Sequence, residues 1–176
     1  LINLKDSSLG NAVDLSDITR QIDAIRIVHE KLYQSEDIAY VEVSGYFTDL
    51  VHSIFTSFSH REVDIRFDLD HYKIQTKSAV TLGLIINEIA TNAIKYGFTT
   101  DEPAVFTLRM KKDTQNQHFK LIISNTGVPF PEHIEPQNSE TLGLRLVHTL
   151  VHQIDGTLEL QKQPHPVFTI TFPIEE

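Results

Sequence analysis

The sequence predicts an α+β fold, a two-layer α/β sandwich with helices over one face of a mixed sheet, preceded by a partial helical hairpin. Three patterns carry this expectation. Between residues 15 and 32, the positions Leu15, Ile18, Ile22, Ile25, His29 and Leu32 recur at alternating spacings of three and four, the seam of a helix packed lengthwise against a partner. After the polar "QSED" of residues 34–37, segments of period two and of period 3.6 are mixed along the chain. The period-two segments follow one another in hairpin-like succession with helices between them, which favours a mixed sheet over a wholly parallel one.

Taken in order, "LINL" and the isoleucine-rich run to Leu32 read as a helical hairpin, with Asp14 and Ser16 as capping candidates. A second copy of the chain would complete the seam as a four-helix bundle, while a helix docked on its own domain gives the same spacing. A helix is expected from about Ser44, burying Phe47, Leu50, Val51, Ile54 and Phe58. "VDIRFDLD" alternates Val63, Ile65, Phe67 and Leu69 with charges, a half-buried strand. "LGLIINEIATNAIKYGF", residues 82–98, has the apolar spacing of a buried helix. Strands follow in "AVFTLRM" and "HFKLIIS", then the proline-rich loop "NTGVPFPEHIEPQNSE" and a helix in "LGLRLVHTLVHQI". "GTLEL" and "VFTITF", joined by a turn at "PHP", close the sheet.

Composition narrows function by exclusion. The net charge is −9 with only 15 lysines and arginines, spread through the chain, so no basic face exists for a nucleic-acid backbone. Any anionic ligand must be held locally. The absence of cysteine rules out disulfides, thiol chemistry and cysteine-ligated zinc. No apolar run reaches membrane-span length and no signal peptide is present, so no membrane contact is expected of these residues. The chain starts without methionine and inside an apolar pattern, which reads as a piece of a longer protein.

The chemistry concentrates on the helix of residues 82–98. At 100° per residue Glu88, Asn92 and Lys95 fall within a narrow stripe of roughly 60° beside the isoleucine face. A solvated helix edge would explain the stripe, except that Asn gains nothing inside a structural helix. Its amide oxygen is a neutral hard ligand suited to Mg²⁺, Glu88 could orient or deprotonate a nucleophile, and Lys95 could reach a terminal phosphate. Two glycine turns add to this. Gly127 follows the strand "LIIS", where the chain must turn sharply and could let a flat ring approach its backbone. Gly143 lies at a helix start, where free N–H groups favour phosphate oxygens. His148 and His152, an i, i+4 pair without a third ligand nearby in sequence, read as solvated surface.

With these residues in view, the chain resembles the ATP-binding catalytic domain of sensor histidine kinases, in the superfamily that also holds DNA gyrase and the ninety-kilodalton heat-shock chaperone. "NEIATNAIKYGF" is similar to the N box, "NTGVPFP" to the first glycine box and "TLGLRLV" to the second. "RIVHEKLYQSED", together with "LVHTLVHQIDGTLEL", resembles the second HisKA subfamily, in which a two-helix dimerisation segment precedes this domain.

The resemblance implies a Bergerat-type ATP-binding fold over residues 37–176 and part of a dimerisation hairpin over residues 1–36, without the acceptor-histidine segment. It also implies ATP and Mg²⁺ as cofactors, with Asn92 as metal ligand, Lys95 as phosphate contact and Tyr96 beside the nucleotide. Glu88 would take the place of the catalytic or water-orienting carboxylate, and the amides of Thr141, Leu142, Gly143 and Leu144 would cradle phosphates. Asn125 stands where the family has an aspartate that accepts from the adenine amino group, Pro129 where a second glycine is usual, and Thr141 where a glycine is common. Exchanging that charge-assisted bond for a neutral one costs about 1 kcal/mol, so Asn125→Asp is expected to tighten binding. His29, in the seam, does not match the acceptor motif. The implied partners are a second copy of the chain, through the hairpin, and the receiver domain of a response regulator, in the cytoplasm. Rival readings are an ATPase or serine-directed kinase of the superfamily, and a docking module that no longer binds nucleotide.

Overall fold

The computed structural model describes residues 39–134 and 142–174, together with the helical residues 22, 25, 26 and 28–30. Within these the chain runs β1 (Tyr40–Glu42), α1 (Val43–Phe58), β2 (Asp64–Leu69), β3 (Lys73–Gln75) and α2 (Thr76–Asn92). A π-helical turn (Ala93–Gly97) follows, then β4 (Val105–Asp113), β5 (His118–Asn125), α3 (Leu142–Gln153), β6 (Thr157–Gln161) and β7 (Val167–Pro173).

Period-two alternation builds a five-stranded sheet in the order β2-β4-β5-β7-β6, with β2 parallel to β4 and every other pair antiparallel. Phe106, Leu108 and Met110 of β4, Leu121 and Ile123 of β5, and Phe168 and Ile170 of β7 are buried on one face. The alternate positions Arg109, Lys111, Lys120 and Glu159 are exposed, so helices cover one face only and the other stays solvated. The expected two-layer α+β sandwich is therefore present.

The helical layer follows from three apolar stripes. The Glu42 carboxylate caps α1, accepting from the N–H groups of Ser44 at 3.1 Å and Gly45 at 2.6 Å. Behind that cap Phe47, Leu50, Val51 and Ile54 are fully buried. Phe58 is only half-buried, because α1 ends there. α2 buries Leu82, Ile85, Ile86 and Ile89 between α1, α3 and the sheet. It starts at Thr76, about a turn and a half before the apolar run. No side chain caps it; the Thr76 N–H instead donates to the Ala39 carbonyl at 2.9 Å. That bond depends on a two-stranded ribbon, β1 antiparallel to β3, which the sequence reading did not contain.

Of the hairpin seam, Leu15, Ile18 and Leu32 and the caps Asp14 and Ser16 lie outside the described residues. Ile22 and Ile25 are 61% and 56% exposed, and His29 is exposed as well. Val28 is the position that docks on the domain. A Cβ on Gly83 would lie 3.2 Å from Val28 Cγ2 and 2.9 Å from the Tyr46 hydroxyl, so the bare glycine leaves the notch that both occupy.

One contact positions everything at the open end of the sheet. Beyond β5 the chain turns through Gly127 at a φ of 108°, a region that side-chain-bearing residues avoid. A Cβ there would stand 1.9 Å from the Gly97 carbonyl oxygen. That same oxygen accepts from the Val128 N–H at 2.7 Å. Gly127→Ala should therefore destabilise the domain by on the order of 2–4 kcal/mol, combining backbone strain with a collision that neither partner can relieve by rotamer change. Urea unfolding at constant m-value is the check, and an unchanged midpoint would rule out the contact as drawn.

Candidate nucleotide site

The site begins where α2 stops being an α-helix. Inside α2 the buried Thr91 hydroxyl donates back to the carbonyls of Asn87 at 2.8 Å and Glu88 at 3.1 Å, a pattern that loosens helical geometry. After Asn92 the coil widens into the π-turn, closed by the Phe98 N–H on the Ala93 carbonyl at 3.3 Å. The 100° spacing of the polar stripe therefore holds for Glu88 and Asn92 but not for Lys95. Lys95 and Tyr96 stand exposed, Tyr96 at 71%. All four nonetheless border one cavity of about 460 Å³.

That volume is typical of small-molecule sites. One wall carries Glu88, Asn92 and Lys95 from the end of α2, with the buried Asn125 at the end of β5. The facing wall is apolar, with Val128, Phe130, Ile134 and Phe168, and the rings of Phe130 and Phe168 meet edge-on at 5.9 Å. Gly143 and Leu144 in the first turn of α3 close a third side. A Cβ on Gly143 would lie 2.5 Å from Glu88 Oε2. The glycine thus lets the start of α3 approach the carboxylate. Such a cavity suits an amphipathic ligand, with a flat apolar portion against the rings and an anionic portion, with a hard cation, against the amide, carboxylate and ammonium.

The remaining predicted residues are placed differently. Gly127 is not part of the lining, and its close neighbour is the Gly97 carbonyl instead of a ligand ring. Leu142 is 37% exposed and also stands outside the lining. Thr141 lies outside the described residues. Asn125 borders the cavity with its amide already engaged, Nδ2 donating to the Thr126 carbonyl at 2.8 Å.

Sequence reading missed Gly97 and the apolar wall. A Cβ on Gly97 would lie 2.6 Å from Asn125 Nδ2, so this glycine makes room for the amide. Its signal was the glycine right after "KY", indistinguishable from a helix terminator. The apolar wall is held by the segment that joins β6 to β7. Phe130 N–H donates to the Lys162 carbonyl at 2.9 Å, Lys162 Nζ to the Glu132 carbonyl at 2.8 Å, and His165 Nδ1 meets the Gly127 carbonyl at 3.1 Å.

Comparison with known proteins bears on the same regions. The family described as "Histidine kinase-, DNA gyrase B-, and HSP90-like ATPase" matches residues 77–176, which include every cavity residue named above. The HisKA_2 family, described as "Histidine kinase", matches residues 1–58. Blue-light-activated histidine kinase 2 of Erythrobacter litoralis is 22% identical over 171 residues, 92% of this chain and 48% of that protein. Sensor histidine kinase PdtaS of Mycobacterium tuberculosis is 24% identical over 152 residues, 84% of this chain and 29% of that one. The chain thus spans about half the length, or less, of these relatives. Among solved structures, the histidine kinase domain of the Erythrobacter litoralis EL346 blue-light activated histidine kinase superposes with a TM-score of 0.76 at 18% identity, covering 89% of this chain and 74% of that one. The ATP binding domain of PrrB from Mycobacterium tuberculosis gives 0.63 at 18% identity, covering 80% of this chain and all of the other (100%). The chain belongs to the histidine kinase-, DNA gyrase B- and HSP90-like ATPase family, in its histidine kinase branch.

Proposed function

We propose that this chain is the ATP-binding catalytic portion of a sensor histidine kinase, with residues 37–176 holding the nucleotide and residues 1–36 contributing to a dimerisation hairpin. The observation that supports this most strongly is the convergence of Glu88 and Asn92 from α2 and Lys95 from the π-turn with Asn125 and the first turn of α3 around one cavity. The cavity persists beside both Asn125 and Pro129, which favours nucleotide binding over a module that has lost it.

The donor set fits the expected cofactors. Asn92 offers a neutral oxygen and Glu88 a carboxylate one helical turn away, the hard donors that Mg²⁺ takes while keeping several waters. Magnesium-bound ATP, when present, supplies the γ-phosphoryl group for transfer to a histidine imidazole. Asn92 would hold the metal and Lys95 would neutralise phosphate charge. The N–H groups at the start of α3 would donate hydrogen bonds to phosphate oxygens. Glu88, with Oε2 against the start of α3, would orient the incoming imidazole and accept its proton. The apolar wall around Phe130 and Phe168 would hold the base. Catalysis on this arrangement is mainly positioning and electrostatics.

Onward transfer to an aspartate of a response-regulator receiver domain, pairing of two copies through the hairpin, and cytoplasmic location belong to the same reading. The exposed Ile22 and Ile25 support the pairing. Among the described residues no helix is long and apolar enough to cross a membrane.

Two substitutions test the site. Asn92→Ala should weaken Mg²⁺-dependent binding of a non-hydrolysable ATP analogue on the order of 100-fold by calorimetry, with unchanged circular dichroism; retained affinity would remove Asn92 from the metal. Asn125→Asp tests the adenine contact. An aspartate gains the charge-assisted bond to the amino group but has no donor for the Thr126 carbonyl, and its charge is desolvated beneath Gly97. The two losses, about 1 kcal/mol each, act on the fold with or without nucleotide, whereas the gained bond acts on binding, so the dissociation constant should fall about five- to tenfold while the unfolding midpoint drops. An unchanged or weaker affinity would remove residue 125 from the adenine contact.

A further inference from the structure

We propose that His148 and His152 form a binding site for a divalent transition metal of the Zn²⁺, Ni²⁺ and Cu²⁺ class on the outward flank of α3. One helical turn separates the two residues, His148 half-exposed and His152 exposed. Their Nε2 atoms lie 3.3 Å apart, with ring centroids 4.5 Å apart and planes inclined at 75°. An ion bonded to both nitrogens at the usual imidazole distance would see them at about 107°, close to the tetrahedral angle. The separation of the two nitrogens therefore matches chelation of a single ion.

Without metal, one neutral ring donates its Nε2–H to the other ring's Nε2. Metal binding replaces that hydrogen bond. The donor ring moves its proton to Nδ1, both Nε2 lone pairs face the ion, and no proton leaves the protein. His152 lies in the last turn of α3, where the negative end of the helix dipole favours a cation. Arg145, one turn before His148, works against it. Among the described residues no third carboxylate or imidazole joins the pair, so water completes the coordination and the ion exchanges readily.

The ligand type separates this site from the proposed nucleotide metal. Imidazole nitrogens prefer borderline transition ions and bind Mg²⁺ poorly, whereas Asn92 and Glu88 offer oxygen. The two sites occupy opposite ends of α3, since Gly143 and Leu144 at its start border the cavity. The inference does not rest on the kinase reading.

The experiment titrates Zn²⁺, without nucleotide, into the parent protein and into His148→Ala, His152→Ala and Asn92→Ala, by calorimetry in competition with a chromophoric chelator. The parent should take up one Zn²⁺ per chain at this site. Each histidine variant should weaken that uptake at least about tenfold, and Asn92→Ala should leave it unchanged. Parent-like zinc affinity in either histidine variant would overturn the assignment, as would no uptake by the parent at about 1 mM. Loss of zinc binding in Asn92→Ala would also overturn it, by moving the ion to the nucleotide cavity.

Discussion

The candidate site depends on one backbone contact. Gly127, just beyond the central strand β5, lies against the carbonyl of Gly97 at the end of the π-turn, and Val128 N–H donates to that same oxygen. Strand and helix belong to different layers, so this contact fixes the height at which the helix end meets the sheet end. It brings Asn125 under Gly97 and, with the π-turn, keeps Lys95 and Tyr96 on the rim of the cavity that Glu88 and Asn92 enter from the side. Gly143 does the same for α3 against Glu88. Glycine is required at Gly127, for its positive φ and its approach to backbone, whereas a side chain at Gly97 or Gly143 would displace the Asn125 amide or the Glu88 carboxylate.

Much of this was legible in the sequence, for physical reasons. Long periodic segments identify themselves because burying one face needs many residues in register: α1, β4, β5, α3 and β7 all follow their apolar pattern. The polar stripe of α2 was visible because Asn92 has no structural motive inside a helix. β1 and β3 were not visible, since three residues are too few to show a period. The start of α2 was hidden because a tertiary bond to Ala39 replaces the usual cap. The π-turn was hidden too, since it comes from local hydrogen bonding that α-helical arithmetic does not contain. For the glycines, sequence proximity suggested turns and ligands, whereas the collisions that exclude a side chain come from segments about 30 residues away (Gly97 and Gly127) or more than 50 (Gly143 and Glu88).

The layer arrangement explains why the charged face of the sheet adds little to stability. Lys111 lies between Asp68 and Asp70 at 2.6 and 2.8 Å, and the hydrogen bonds it donates to those carboxylates raise its pKa. All three side chains are about half exposed, so water screens the pairing. Cohesion comes from the dry side, where the isoleucines of α2 meet Phe106, Leu108 and Ile123. Among the described residues three buried polar atoms without a hydrogen-bond partner sit in or beside that dry layer, the Tyr46 and Tyr72 hydroxyls and Asn87 Oδ1. Tyr46 is held neutral there, its pKa raised by burial.

The order of strands has a temporal consequence. β7 follows β6 in sequence yet lies between β5 and β6 in space, and it carries Phe168 into the cavity wall. During synthesis the earlier elements leave the ribosome with the β5 edge unpaired and β6 detached. Neither the sheet nor its pocket can close until residue 173 emerges. A nascent chain of this protein therefore presents that edge unpaired until the final strand slots in.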